Sequence, residues 1–453
     1  MKIIEGAKLP IYCWSDPLEE GALKQAINVA NHPKAFHHVV LCADAHSGFG
    51  MPIGGVAALD GVVSSFLVGN DIACSMLAAR LDGISQSDIS DMKVRKVIHD
   101  SIKREIPTGV KHNTDWKTHM EYDRADKLMT KHGIDNDIIS REAVADQLGT
   151  LGGGNHFLEV QAEGLTTIWI MIHCGSRNIG SKICAKYFTL SKDYCDRAGY
   201  KLPDPHLSFL PMDHIHGIEY WKQMQFCMDF SHENKEIILY RTLQVLNKMF
   251  KDVYISEKVL IHHNFASIET HFGKQVVVHR KGATPASKGT IGIIPGSMGT
   301  PSFIVEGMGN NDSFKSCSHG AGRAMSRTQA KDTISLSAIK RQMEGIYFDA
   351  CKGIIEEAPD AYKDINVVMQ AQTEGDSPLV KIVHSMRPLI NIKDTSDENP
   401  KNRMKNKDRT CPNGHVFGLD FDKFKECKFQ FCEEKDRNAC RHRMSVLKIG
   451  ECK

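Results

Sequence analysis

The chain has 453 residues, with 57 Lys and Arg against 55 Asp and Glu, for a formal net charge of +2. Near-neutrality argues against binding a polyelectrolyte by bulk charge, while leaving room for a local basic groove. A composition of 41% apolar and 25% charged residues is that of a globular chain with a large core, and no run of 18 or more apolar residues offers a membrane span.

The opening Met1-Lys2-Ile3-Ile4-Glu5-Gly6 lacks the apolar centre of a signal peptide. The 14 cysteines are scattered before they crowd near the end. A secreted disulfide scaffold is shorter and denser in cysteine, so the expected setting is reducing and cytoplasmic.

A first helix is predicted over 18–30, followed by an apolar run at 36–42 of strand length. That run leads into Asp44-Ala45-His46-Ser47-Gly48-Phe49-Gly50. A second strand is predicted over 61–68, ending in Gly69-Asn70-Asp71-Ile72-Ala73-Cys74. Residues 88–147 read as helical and charged, with a polar patch at 108–116 holding Lys111 and His112 and reaching Lys117. The loop from Leu148 to Glu159 carries Gly152-Gly153-Gly154-Asn155-His156, where backbone amides can face a ligand. A strand at 166–172 ends in His173-Cys174-Gly175-Ser176-Arg177. The stretch 218–250, apolar at Phe226, Phe230, Ile237, Leu239, Leu243 and Leu246, fits an amphipathic helix or two. It is read as scaffold without chemistry.

Three more strands are predicted at 258–261, 275–278 and 291–294. They lead into His262-His263-Asn264, His279-Arg280-Lys281-Gly282-Ala283 and Pro295-Gly296-Ser297-Met298-Gly299. Ser316-Cys317-Ser318-His319-Gly320-Ala321-Gly322-Arg323 then sets a histidine among small residues. The recurring pattern is an apolar strand that ends in a turn bearing a polar or metal-competent residue, the usual way a rigid scaffold presents a site.

These turns permit definite chemistry. Asp71 and Cys74 with His156, His173 and His263 make a mixed hard and soft donor set, unlike the Cys/His tetrad of structural zinc, and suit an exchangeable catalytic cation such as Mn²⁺, as one ion or two. Arg177, Arg280, Lys281 and Arg323 follow small-residue turns and are candidates for holding phosphate. Neither the Walker nor the Rossmann glycine pattern is present in a strand–helix setting, so a bound nucleotide needs another fold. His319 alone is open to three readings: nucleophile, metal ligand, or a satisfied turn histidine.

Taken in order, these motifs, with Ala361-Tyr362-Lys363-Asp364 after them, resemble the RtcB family of RNA ligases over about residues 8–393. The resemblance implies an α+β fold, with mixed sheets and flanking helices, in a catalytic domain over 1–394. It implies GTP and two Mn²⁺ as cofactors, and joining of RNA 3′-phosphate or 2′,3′-cyclic phosphate ends to 5′-hydroxyl ends. His319 matches the histidine that carries GMP. Asp71, Cys74, His156, His173 and His263 match the manganese ligands, and Asn155, Phe157, Glu159, Ser297, Ser302, Tyr362 and Lys393 match the guanylate pocket. Asp44 matches an aspartate tied to activity, and Arg177 a residue near the RNA phosphate. A rival enzyme is a nucleotidyltransferase that caps RNA 3′-phosphates with GMP without sealing. A non-enzyme alternative is an RNA-binding subunit on an inactive ligase body.

The sequence departs from the family pattern in places. Asn178 stands at a glycine position, where left-handed geometry is expected. Asn234-Lys235 replaces Asn-Arg, which removes a bidentate donor from an expected RNA contact. Beyond Lys393 the chain continues through a basic linker at 395–410 to a Cys/His-rich extension at 411–453. Cys411, His415, Cys427 and Cys432 are its candidate zinc ligands, since fewer than about 40 residues rarely fold without a metal or disulfide.

Overall fold

The computed structural model describes residues 1–113, 120–134 and 139–396. The candidate zinc ligands Cys411, His415, Cys427 and Cys432, and also Trp116 and Lys117, lie outside the described residues.

Two sheets organise Met1–Thr395. A six-stranded sheet runs in the order Lys2–Ile4, Ile11–Cys13, Ala35–Phe49, Met51–Leu59, Lys274–Lys281, Asn264–His271. It is mixed, because Ile11–Cys13 pairs in parallel with Ala35–Phe49 while its other pairs are antiparallel. A seven-stranded antiparallel sheet runs Tyr254–His262, Ser75–Asp82, Thr167–Cys174, Phe157–Glu163, Val380–Ile392, Ser302–Gly307, Ile291–Ile294. The expected α+β class with flanking helices is what the structure has.

The central strands of both sheets are buried on both faces, which explains their continuous apolar runs. On Ala35–Phe49, Val39 and Leu41 pack toward the helix Glu20–Ala30, through Ala26, Val29 and Ala30. Val40 and Cys42 point the other way, toward Phe303, Val305 and the helix Ile365–Thr373. The same period of two divides the second sheet. Ile168, Ile170 and Ile172 face the helices Met92–Glu105 and Ile215–Met249, while Trp169 and Met171 face Ile261, Ile293 and Ile304. Its edge strands Tyr254–His262 and Ile291–Ile294 approach each other, so the sheet curls around this second cluster.

Several expectations change. The strand predicted at 61–68 is only Val62–Val63, followed by the helical turn Ser65–Val68. The strand predicted at 36–42 does not end at Asp44; it runs through His46 to Phe49, with register shifts where it passes the site. The stretch 218–250 is one 35-residue helix, Ile215–Met249. Left-handed backbone falls on Arg177 (φ 58°), so Asn178 is not the left-handed residue.

Candidate functional site

Four adjacent strands of the curled sheet bring the metal-competent residues to one end. His263 directly follows Tyr254–His262, Cys74 directly precedes Ser75–Asp82, His173 lies near the end of Thr167–Cys174, and His156 directly precedes Phe157–Glu163. Antiparallel register places His262 opposite Ser75, Ser75 opposite Cys174, and Met76 opposite His173, itself opposite Phe157. His263 is also the joint between the sheets, since the next strand, Asn264–His271, belongs to the other one.

Their donor atoms converge. Cys74 Sγ lies 3.1 Å from His173 Nε2 and 3.7 Å from His156 Nε2. His173 Nε2 is 3.4 Å from His263 Nε2, and His156 Nε2 is 3.0 Å from Asp71 Oδ2. Donors that share one cation at about 2.1–2.3 Å stand roughly 3–4 Å apart; Cys74, His156 and His173, whose donor atoms all lie within 4.8 Å of one another, fit a metal, with Asp71 and His263 beside them. The tautomer of His173 points the same way. Its Nδ1 meets the carbonyl of Asn155 at 3.1 Å, and a carbonyl only accepts, so Nδ1 carries the proton and Nε2 keeps its lone pair for the cluster.

Asp71 is held by a strained turn and by a gap. Ala73 has φ 63°, and its N–H donates to Asn264 O at 2.7 Å, while Asn264 Nδ2 donates to Asp71 O at 3.0 Å. A Cβ on Gly175 would lie 2.1 Å from Asp71 Oδ1, so only glycine lets the carboxylate sit there. Burial acts to raise Asp71, but the hydrogen bond and charge of His156 outweigh it and hold the carboxyl below its usual range. Burial, with Asp71 beside it, pushes the Cys74 thiol up. Burial pushes His173 and His263 well down, so both are neutral donors at neutral pH.

His319 arrives from a separate two-stranded ladder, just after Ser316–Ser318, which pairs with Ala283–Pro285. Its Nδ1 is 2.6 Å from Asp44 Oδ2, and its backbone N–H donates to the same oxygen at 3.1 Å. Asp44 is fully buried. Burial works against its ionisation, and the neighbouring His319, His46 and Lys363 lower its pKa nonetheless. An ionised Asp44 only accepts, so Nδ1 of His319 is protonated and Nε2 is free. The loop closes on Asp44 through Gly322 (φ 74°), where a Cβ would lie 2.2 Å from Asp44 O. That glycine allows the contact with Asp44, and it also lines a cavity that His319 borders.

His319 lines two cavities. One, of about 390 Å³, is bounded by Asn155, Phe157, Glu159, Ser297, Tyr362 and Lys393 among others. The other, of about 330 Å³, is bounded by Asp71, Cys74, His263, Lys281 and Phe49 among others. Of the residues expected around a guanylate, Ser302 stands one layer behind the wall, where its Oγ accepts from Gly296 N at 3.3 Å and Gln161 Nε2 at 3.1 Å. Arg177 lines neither cavity. Its Nη2 donates to Gly109 O at 2.7 Å and its Nε to Thr150 Oγ1 at 3.1 Å.

Among the phosphate candidates, Arg280 is buried. It braces the strand before His319, with Nε on Ser316 Oγ at 2.9 Å and Nη2 on Glu269 at 3.2 Å. Arg323 lines the first cavity but is tied to Glu356 O at 2.8 Å and Glu357 Oε1 at 3.3 Å, so it braces the loop. Lys235 is fully buried, with Nζ on Ser231 O at 2.9 Å and Oγ at 2.7 Å, so it offers no surface for an RNA contact. The helix that carries it is more than scaffold. Asn234 clamps the backbone of Thr150 in both directions, at 3.1 Å each, and so sets the glycine loop.

Glu357 is a residue that sequence reasoning missed. It accepts from Tyr362 OH at 2.6 Å and Lys393 Nζ at 3.1 Å and pairs with Arg323, joining three segments at the floor of the first cavity. No motif marks it; a pair of carboxylates five residues before Tyr362 is the sole signal. Glu159, held by Gln161 and Asn391 at 2.6 Å each, has its pKa raised by burial to about 7.

Comparison with known proteins agrees with this architecture. Residues 25–394 match the family described as tRNA-splicing ligase RtcB. The RNA-splicing ligase RtcB of Escherichia coli strain K12 is 32% identical over 410 residues, covering 85% of this chain and 97% of the relative. The tRNA-splicing ligase RtcB of Archaeoglobus fulgidus is 33% identical over 466 residues, covering 85% and 94%. That of Thermococcus kodakarensis is 30% identical over 443 residues, covering 82% and 90%. With a family match across most of its length and a donor cluster and histidine–aspartate pair built into the matched region, this chain belongs to the RtcB family.

Proposed function

We propose that this enzyme is an RNA ligase that joins 3′-phosphate or 2′,3′-cyclic phosphate ends to 5′-hydroxyl ends, with GTP as the activating nucleotide. The observation that carries the reading is His319, locked by Asp44 with Nε2 free, between a nucleotide-sized cavity and a converged donor cluster.

GTP occupies the 390 Å³ cavity, with Asn155, Phe157, Glu159, Ser297, Tyr362 and Lys393 around it and Ser302 supporting its wall. The Glu159 carboxylate matches the paired N–H donors on the edge of a guanine. His319 Nε2 attacks the α-phosphorus; the new P–N bond replaces the bond to pyrophosphate, which leaves. Asp44 keeps the Nδ1 proton in place and offsets the positive charge that develops on the ring. An oxygen of the RNA 3′-phosphate, which a 2′,3′-cyclic end supplies once water has opened its bond from phosphorus to the 2′-oxygen, then displaces His319 from the same phosphorus. The 5′-hydroxyl attacks the activated RNA phosphate, and GMP departs. Asp71, Cys74, His156, His173 and His263 would hold Mn²⁺, as two ions. Metal held there would polarise phosphoryl oxygens and offset charge in an in-line displacement. Cys411, His415, Cys427 and Cys432 hold a separate structural Zn²⁺ in this reading.

The test is incubation with α-labelled GTP and Mn²⁺, followed by addition of both RNA ends. An acid-labile label on the protein, absent in His319→Ala, and joined RNA are expected. No label would overturn the nucleophile. Capped but unjoined RNA would replace the ligase with a capping nucleotidyltransferase.

A further inference from the structure

Phe49 is 71% exposed, yet the backbone on either side of it is held by hydrogen bonds. It sits at the tip where Ala35–Phe49 turns into Met51–Leu59. On one side, Ser47 donates to Glu19 Oε2 from N at 2.9 Å and from Oγ at 2.7 Å. Gly48 donates to Gln25 Oε1 at 3.0 Å, and Gln25 Nε2 donates back to Gly48 O at 2.6 Å. On the other side, Lys281 Nζ donates to Phe49 O itself and to Phe66 O. A loop tip fixed at this many points while its phenyl ring stands in water is a built presentation, because an exposed ring contributes almost nothing to folding.

The ring borders both cavities that meet at His319. Beside it lies a shelf of further rings. His206 is 6.3 Å from Phe49 and stacks on Phe188 at 5.3 Å with 11° between the planes, and Phe66 lies 4.8 Å from His206. Two cations face the cavities, while Asp204 pairs with His206 Nδ1 at 2.9 Å and Arg327 lies 3.8 Å from Glu356 Oε1. Lys281 lines the second cavity with only backbone carbonyls as hydrogen-bond partners, and Arg327 lines both. An aromatic shelf with cations beside it is the arrangement that receives a single-stranded nucleic acid, whose bases stack and whose phosphates need countercharge.

We infer that Phe49, with His206 beside it, is a stacking platform for an unpaired terminal base of the RNA at the joining site. The inference rests on the proposed function for the placement of RNA at His319 and adds the residue that grips the base. A protein partner would use the ring as an apolar anchor and would not depend on an RNA end.

The experiment measures binding without chemistry. Short oligoribonucleotides carry 2-aminopurine either at the first base of a 5′-hydroxyl strand or at the last base of a 3′-phosphate strand. Each is titrated with the full chain in Mn²⁺ but without GTP. Stacking should quench one or both labels, and the arm that responds identifies which strand end lies on Phe49. Phe49→Ala should lose the quench and bind that strand about tenfold more weakly, while Phe49→Tyr retains both. Phe49→Ala that quenches and binds like the parent protein would overturn the inference, as would a parent protein that quenches neither label. A chain that quenches the label but takes up no GMP on His319 would refute the proposed mechanism and leave the platform standing.

Discussion

At the residue scale the site is a matter of where protons reside. Asp44 fixes the proton of His319 on Nδ1, so Asp44→Asn, which also permits the other tautomer, should slow GMP uptake by about a hundredfold or more, read as the rate of label transfer to protein. Cys74 has its pKa pushed up by burial and by Asp71, so the free protein keeps the thiol protonated at neutral pH. Metal binding must expel that proton, and His173 and His263, already neutral, contribute none. Mn²⁺ affinity should therefore fall as pH drops, with about one proton released per chain near neutrality, measured by calorimetry in buffers of different ionisation enthalpy; Cys74→Ser should remove the release. Glu159 works in the opposite compartment. Burial raises it to about 7, so it is neutral below that pH and a carboxylate above it. If the carboxylate receives guanine, GTP affinity should rise from pH 6 to pH 8, and Glu159→Gln should flatten the profile. The residue types of these groups were legible in the sequence. Their pairings were not, because Asp44 and His319 are 275 positions apart.

At the scale of elements, the site depends on strand ends in register and on loops that allow close approach. Gly175→Ala would put a methyl group into the Asp71 carboxylate. Mn²⁺ affinity should drop about 10- to 100-fold while far-ultraviolet circular dichroism is unchanged, since the displaced group is a side chain in a turn. The long helix Ile215–Met249 offers a contrasting case. Phe230 is fully buried in the cluster that joins it to neighbouring helices, so Phe230→Ala should cost about 3–5 kcal/mol in denaturant unfolding. Strands were readable as continuous apolar runs where both faces are buried, as at Thr167–Cys174. The helix Arg177–Arg197 had no counterpart among the predicted elements. Its buried stripe at Ile179, Ile183, Tyr187, Ser191 and Cys195 keeps a four-residue spacing, but polar and small residues dilute it. Ser65–Val68 went the other way: an apolar tetrapeptide of strand composition that tertiary packing closes into a helical turn.

On the scale of the whole molecule, the family match ends at residue 394, and Met1–Thr395 is one compact unit. If the tail holds its own zinc, metal analysis should find about one zinc in the full chain and none in protein ending before Cys411; unchanged zinc would refute the zinc ligands Cys411, His415, Cys427 and Cys432. Within Met1–Thr395, the sequence by itself determined which residues could do chemistry. The metal-competent residues sit at or beside the point where an apolar run breaks into a turn, and that break is a local property of the chain. Only the tertiary structure decided which of them act together. Four strand ends distant in sequence share one edge because sheet register aligns them, and that register is set by burial on both faces rather than by any short motif. The same physics ties Arg280 and Arg323 into the fold: their guanidinium groups pair with Glu269 and Glu357, partners that only the folded chain brings within reach.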